Sequence, residues 1–264
     1  MAAISIRLLN AADVPQCLEL SSEAGWNQTA EDWALLLELA AGCCFGVDRQ
    51  GELAATATLM CYGNELAWLG MVLTRMKFRR RGLGRLLVQH ALSVADGRAI
   101  STLGLDATTL GLPLYESFGF VREQEIERWS GHGSQSAGVT KDVRPPDWDM
   151  LAAEKRPIRE ALARRGKFFG NNHEFAMQRS GSRATYLGPC HAHSETRAGQ
   201  LIAAALGVAG GPWFWDLLPA NQHAVALAQS LGFCCDRKLV RMRRGKETCE
   251  DQSSVYAIAG FEFG

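Results

Sequence analysis

The run Arg79-Arg80-Arg81-Gly82-Leu83-Gly84 joins concentrated charge to backbone freedom. Glycines let a chain turn tightly and leave no side chain between the amide N–H groups and an approaching anion. Where a helix follows at once, its first amides lack partners and the positive end of its dipole faces the same anion. Arg75, Lys77 and Arg85 extend the field, with no acid anywhere between 75 and 85. The chemistry this supports is the binding of a phosphate or pyrophosphate. No Gly-Lys-Ser/Thr follows, so it is not a Walker loop, and a third correctly spaced glycine is missing for a dinucleotide fingerprint.

Such a loop has to be held between a strand and a helix, and the neighbouring sequence supplies both. Residues 66–73 form an apolar run that reads as a buried strand, while Leu83, Leu86, Leu87, His90, Ala91 and Val94 fall on one helical face. Leu114-Tyr115-Glu116-Ser117-Phe118-Gly119-Phe120 then closes a second helix and opens another strand. Around these, the first half reads as a strand at 4–9, helices near 13–22 and 29–41, strands at 43–48, 53–61 and 65–73, a helix at 84–96 and a strand at 102–105. This mixed order predicts an α+β fold.

Arg79-x-x-Gly82-x-Gly84, followed by Leu-Tyr-Glu-x-x-Gly-Phe at 114–120, resembles the acetyl-coenzyme A signature of the GNAT N-acetyltransferase superfamily. Gly25-Trp26-Asn27, residues 68–72 and Leu105-Asp106-Ala107-Thr108 are similar to the bacterial two-domain acetyltransferases of the YitH type. The resemblance implies an acetyl-CoA-dependent N-acetyltransferase acting by direct transfer on a small amine or amino-acid-like acceptor. It implies cofactor contacts from Met71, Val72 and Leu73, whose strand edge would hold the pantetheine arm and the thioester oxygen, and from Arg79, Arg80, Arg81, Gly82, Leu83, Gly84 and Arg85. Tyr115 stands at the position of the tyrosine that protonates the departing thiolate. Thr108 stands where relatives carry an asparagine on the cofactor arm, and is a departure from the pattern. A non-catalytic CoA-binding sensor and a protein-lysine acetyltransferase are the alternatives.

No general base announces itself: Glu23, Glu65 and Asp106 are the carboxylates considered for the amine proton. Trp26, Asp32 and Trp33 could line an acceptor site with aromatic faces suited to a cationic amine; Trp33 could equally be the buried side of a helix with Leu36 and Leu37.

Past residue 129 the sequence turns small and polar through Gly131-His132-Gly133-Ser134-Gln135-Ser136-Ala137-Gly138, read as a linker at 130–140 between a catalytic domain at 1–129 and a second domain at 141–264. The pattern then partly repeats. Tyr186-Leu187-Gly188 answers Trp68-Leu69-Gly70, and Leu231-Gly232-Phe233 answers Phe118-Gly119-Phe120. The chemistry does not repeat: Ser194-Glu195-Thr196-Arg197-Ala198-Gly199 replaces the arginine-glycine loop, and Ala228 holds the place of Tyr115. The fold expected is tandem GNAT-like domains, each a mixed, mostly antiparallel sheet flanked by helices, the second degenerate.

The 264 residues carry 28 basic and 28 acidic side chains, so net charge makes no case for nucleic acid or an anionic membrane. No signal core stands at the start, and Gly210-Gly211-Pro212 breaks the longest uncharged run, 198–215, which points to a cytoplasmic protein, monomer or homodimer. Its eight cysteines form no Cys-x-x-Cys pair and read as reduced thiols. His191-x-His193 has no third ligand at a recognisable distance, so no metal is expected. The basic cluster Arg237, Lys238, Arg241, Arg243, Arg244 and Lys246 reads as a structural or acceptor-contacting strand.

Overall fold

The computed structural model describes residues 4–133, 156–247 and 252–264. The first half runs β1 (Ile6–Leu8), α1 (Val14–Glu23), α2 (Ala30–Leu39), β2 (Cys44–Arg49), β3 (Glu52–Tyr62), β4 (Leu66–Thr74), α3 (Leu83–Gly97), β5 (Thr102–Ala107), α4 (Leu112–Glu116) and β6 (Val121–Gly133). The second runs α5 (Arg156–Arg165), β7 (Lys167–Gly170), β8 (Phe175–Arg179), β9 (Thr185–His191), α6 (Glu195–Leu206), β10 (Gly211–Leu217), α7 (Gln222–Ser230), β11 (Cys234–Gly245) and β12 (Val255–Ala257). The expected α+β order is observed. β3 is buried along most of its length, and its small residues Ala54, Ala55 and Ala57 let α1 and α3 approach. α3 lies over β3 and β4 with Leu83, Leu87, Val88, Ala91 and Ala95 buried.

All strands join one sheet in the order β1-β2-β3-β4-β5-β11-β6-β10-β9-β8-β7, with β12 against β9. The arrangement is close to a two-fold about the β6–β11 pair. β4 and β5 are parallel on one side, β9 and β10 on the other. The long strands are exchanged: β11 of the second half fills the gap between β5 and β6, and β6 of the first half pairs with β10.

This exchange corrects the expected linker. Residues 130–133 are not linker but the end of β6, with Gly131 opposite Trp213 and Ser130 opposite Cys234; 134–140 lie outside the described residues. The glycines are there for space. A Cβ on Gly131 would sit 2.6 Å from the Phe233 ring, and one on Gly133 would sit 2.2 Å from the Trp213 indole nitrogen. Arg128 on β6 faces Asp216 on β10 and donates two hydrogen bonds to it at 2.7 and 2.6 Å, a buried bidentate pair between the halves.

The parallel pairs are short. β4 follows β5 only from Leu66 to Trp68, and β9 follows β10 only from Thr185 to Leu187, after which each pair parts. The second opening is filled by β12. There Ala257 pairs with Cys190, the Ile258 N–H donates to Asp216 O at 3.0 Å, and the Trp215 indole donates to Tyr256 O at 2.7 Å. The first opening remains a cleft. Among the described cysteines all are free, with Cys234 and Cys235 exposed at the start of β11; Cys249 lies outside the described residues. Among the described residues no helix is long and apolar enough to cross a membrane.

Candidate active site

The cleft begins at a bulge. Thr56 and Thr58 of β3 pair with Leu73 and Gly70 of β4, so one residue of β3 lies opposite two of β4. Met71 takes φ 49°, a left-handed backbone that side-chain-bearing residues seldom adopt. The Thr56 hydroxyl fixes it by donating to Met71 O at 2.8 Å. A bulge bends its strand and re-aims the backbone. Here it carries the Met71–Leu73 edge past the end of the β4–β5 pairing and onto the cleft wall.

At the other end of the cleft, Gly82 caps α3 with φ 79° and no side chain bonds the first turn. The first helical bond runs from Leu86 N to Gly82 O, leaving the amides of Leu83, Gly84 and Arg85 without helical partners. A Cβ on Gly82 would meet nothing within 4 Å, and one on Gly84 nothing nearer than Thr74 Oγ1 at 3.8 Å. The space before these amides is therefore open to a groove of about 1490 Å³. Arg79, Arg80, Leu83 and Arg85 line it. Arg81 does not: its guanidinium lies over the Phe78 ring, 5.6 Å from the centroid, where the ring face attracts the cation. Open amides, a helix start and three arginines fit a pyrophosphate.

Trp26, Val72, Thr108, Tyr115 and Arg237 line both this groove and a second cavity of about 650 Å³, so they form the neck between the two. Tyr115 sits on α4, its ring edge-on to Phe120 at 6.0 Å. Gly111 makes room for that ring, since a Cβ there would lie 2.9 Å from it. Burial raises the phenol pKa above its ordinary value, so the hydroxyl keeps its proton at neutral pH. No hydrogen bond of that hydroxyl to another described residue is formed.

The second cavity is lined by both halves: Arg237, Leu239, Phe261 and Glu262 join Gln28, Asp106 and Arg128. The segment carrying Trp26 and Gln28 is clamped to the second half through Asn27. Its Nδ2 donates to Ala184 O at 3.0 Å, and its Oδ1 accepts from the Arg183 and Ala184 amides at 2.9 and 3.0 Å. Glu262 is buried beside Arg179 at 3.2 Å, and burial raises its carboxyl pKa. The sequence reading missed Gln28, Arg128 and Glu262. The signal for the last was an acid between two phenylalanines in an apolar stretch, a pattern that points to a buried carboxylate.

Several expected acceptor residues stand elsewhere. Trp33 is fully buried, its indole bonded to Ser21 Oγ at 3.2 Å, so the helix-core alternative holds. Asp32 closes the capping box of α2 with Thr29 and lies 3.5 Å from Arg179, behind the cavity rather than on its wall. Glu65 is exposed in the turn before β4, at the end of the strand opposite the bulge. Glu23 accepts from the Met76 amide at 2.5 Å. Asp106 does line the cavity but is held by Arg241 through bonds of 2.9 and 3.0 Å. Arg241 also covers the Trp68 ring, giving that part of the basic cluster a structural role.

The corresponding places of the second half are closed. Ser194 caps α6 with its own side chain, accepting from the Arg197 amide at 3.3 Å, and Glu195 puts an acid in the first turn. Asn221, which stands in register with Thr108 when counted back from the Gly-Phe pairs, donates to Ser253 O and Val255 O at 3.0 Å each, holding β12 in the opening.

A family model described as acetyltransferase (GNAT) family matches residues 13–120, and one described as acetyltransferase (GNAT) domain matches 159–257. The chain is 31% identical over 128 residues to the uncharacterized N-acetyltransferase YitH of Bacillus subtilis (strain 168), a match spanning 48% of this chain and 44% of that protein. Among solved structures it resembles a candidate acetyltransferase from Pyrococcus horikoshii, with 20% identity, a TM-score of 0.84 and coverage of 100% of this chain and 97% of that one. It also resembles a GCN5-related N-acetyltransferase from Sphaerobacter thermophilus, with 14% identity, a TM-score of 0.65 and coverage of 95% and 98%. At these identities the structures speak for the fold. With one GNAT model on each arm of the sheet, and between them most of its length matched, the chain belongs to the GNAT acetyltransferase family, as a tandem of two such domains.

Proposed function

We propose that this chain moves an acetyl group from acetyl-CoA to the nitrogen of a small amine at one site per chain, built on the first half and closed on the acceptor side by the second. The observation that carries this reading is the neck, where the bulged β4 edge, the Tyr115 hydroxyl and the mouths of both cavities meet. Bound acetyl-CoA would supply an activated acetyl group as a thioester. The amides of Leu83, Gly84 and Arg85, with Arg79, Arg80 and Arg85, hold phosphate. The Met71–Leu73 backbone presents N–H groups to a developing oxyanion, a role worth about 3–4 kcal/mol per well-placed donor. Tyr115, kept protonated by burial, gives its proton to the departing sulfur.

Calorimetry on the full chain should give one acetyl-CoA site, and thiol release should rise when a mixture of small amines is added. Two sites, or none, would sink the assignment. One site with no thiol release to any small amine would leave a CoA-binding sensor.

A further inference from the structure

Four charged side chains line the 650 Å³ cavity: Asp106, Arg128, Arg237 and Glu262. Three are neutralised by a partner outside it. Asp106 is held by Arg241 at 2.9 Å, Arg128 by Asp216 at 2.6 Å and Glu262 by Arg179 at 3.2 Å. Arg237 forms no ion pair with a described residue. It reaches the neck because the β6–β11 register slips between Cys235 and Arg237, and a bulge of this kind turns a side chain out of its regular alternation. It is half-buried among like charges. Burial first, then Arg128, lowers its pKa below the ordinary arginine value, and Arg183 adds to the repulsion; Asp236 and Asp216 offset this only in part. The nearest of these cations is already bound to Asp216, and Arg183 donates to Gly25 O. Arg237 is therefore the one charged side chain lining this cavity that has no ion-pair partner among the described residues, and it stands where the acetyl group would be transferred.

We propose that the acceptor is a free amino acid whose carboxylate is held by Arg237; this rests on the acetyl-transfer reading of the same cavity. In the step, the amine nitrogen bonds to the acetyl carbon as the carbon–sulfur bond breaks. One amine proton passes to water and the sulfur leaves with the Tyr115 proton, which water restores. The products are an N-acetyl amino acid and free coenzyme A. A carboxylate on a guanidinium makes two parallel charge-assisted bonds, which neither an amide nor an ester can match.

The test gives the full chain acetyl-CoA with the twenty free amino acids, and separately with their carboxamides, reading thiol release and product mass. At least one free amino acid should be acetylated about ten- to a hundredfold better in kcat/KM than its amide. Arg237→Gln should abolish that preference, the loss falling on the KM of the free acid more than on kcat, and Arg237→Lys should restore part of it. Equal use of acids and amides, acetylation only of amines lacking a carboxylate such as spermidine, no acetylation of any amino acid, or a preference that survives Arg237→Gln would each overturn the proposal. None of these by itself overturns the broader acetyl-transfer reading, which fails if acetyl-CoA does not bind once per chain or if no small amine releases thiol.

Discussion

Tyr115 is the residue on which the proposed transfer chemistry turns, and its environment makes a clean experiment possible. Replacing it with Phe removes one hydroxyl while keeping the edge-on contact with Phe120 and the fit against Gly111. Single-turnover acetylation is expected to fall about a hundredfold or more, with acetyl-CoA affinity little changed. A rate within about twofold of wild type would make Tyr115 a packing residue. This position was legible because the Gly-Phe pair that ends the helix fixes its register. The acceptor side was not: Gln28, Arg128 and Glu262 are far apart in sequence, and only the exchanged strands and the chain's end bring them together. Trp33 shows the converse, since a tryptophan on a helix face reads the same whether it meets a ligand or a core.

Among the elements, the start of α3 and the first strand each make a claim that can be measured. Gly84→Ala adds a methyl that meets no protein atom closer than 3.8 Å, so the fold should lose almost nothing. The same methyl enters the space before the open amides, and acetyl-CoA binding should weaken about tenfold or more, read by calorimetry. Unchanged affinity in a folded variant would remove α3 from the binding site.

β1 is tied down through Arg7, which donates to both oxygens of Asp13 at 2.9 and 2.8 Å, while Asp13 also accepts from the Asn10 amide at 2.9 Å. The Arg7 hydrogen bond, more than any other influence, holds the Asp13 carboxyl below its ordinary value of 3.8. A depressed carboxylate stabilises the fold above its unfolded pKa, and the contribution disappears as pH falls through the folded value. Asp13→Asn should therefore cost about 1–2 kcal/mol in urea unfolding at pH 7 and progressively less as the pH falls below 3.8. A cost independent of pH would assign the loss to packing. At this scale the sequence was most readable, because apolar period and turn residues act locally. It misled only at residues 130–133, where glycines chosen to admit aromatic rings have the composition of a linker.

For the molecule as a whole, the end of the chain belongs to the first half as much as to the second. Tyr62 donates to Phe263 O at 2.5 Å, the Trp68 indole donates to Phe261 O at 2.8 Å, and the Phe263 side chain is buried. Removing residues 261–264 should lower the melting temperature by roughly 10 °C, since deleting one buried Phe costs about 3–5 kcal/mol. In chains still folded by circular dichroism, acceptor KM should rise strongly while acetyl-CoA Kd stays within about threefold, because the groove contains none of these residues. A shortened chain with normal acceptor kinetics would exclude this end from the site. Neither this docking nor the filling of the second opening by β12 could be read from the sequence, since both depend on pairings between distant segments.

The exchange of β6 and β11 also imposes an order on biosynthesis. When β5 leaves the ribosome its free edge has no neighbour, because the strand that covers it begins at Cys234, well over a hundred residues later. At roughly 5–20 residues per second that edge waits about 6–25 seconds, beside a β6 whose own partners are equally unmade. An unpaired edge is a template for any other nascent chain doing the same. Neighbouring chains on one message could thus supply each other's missing strand, and heavier translation is expected to raise the share of interlocked dimers, read by size-exclusion chromatography.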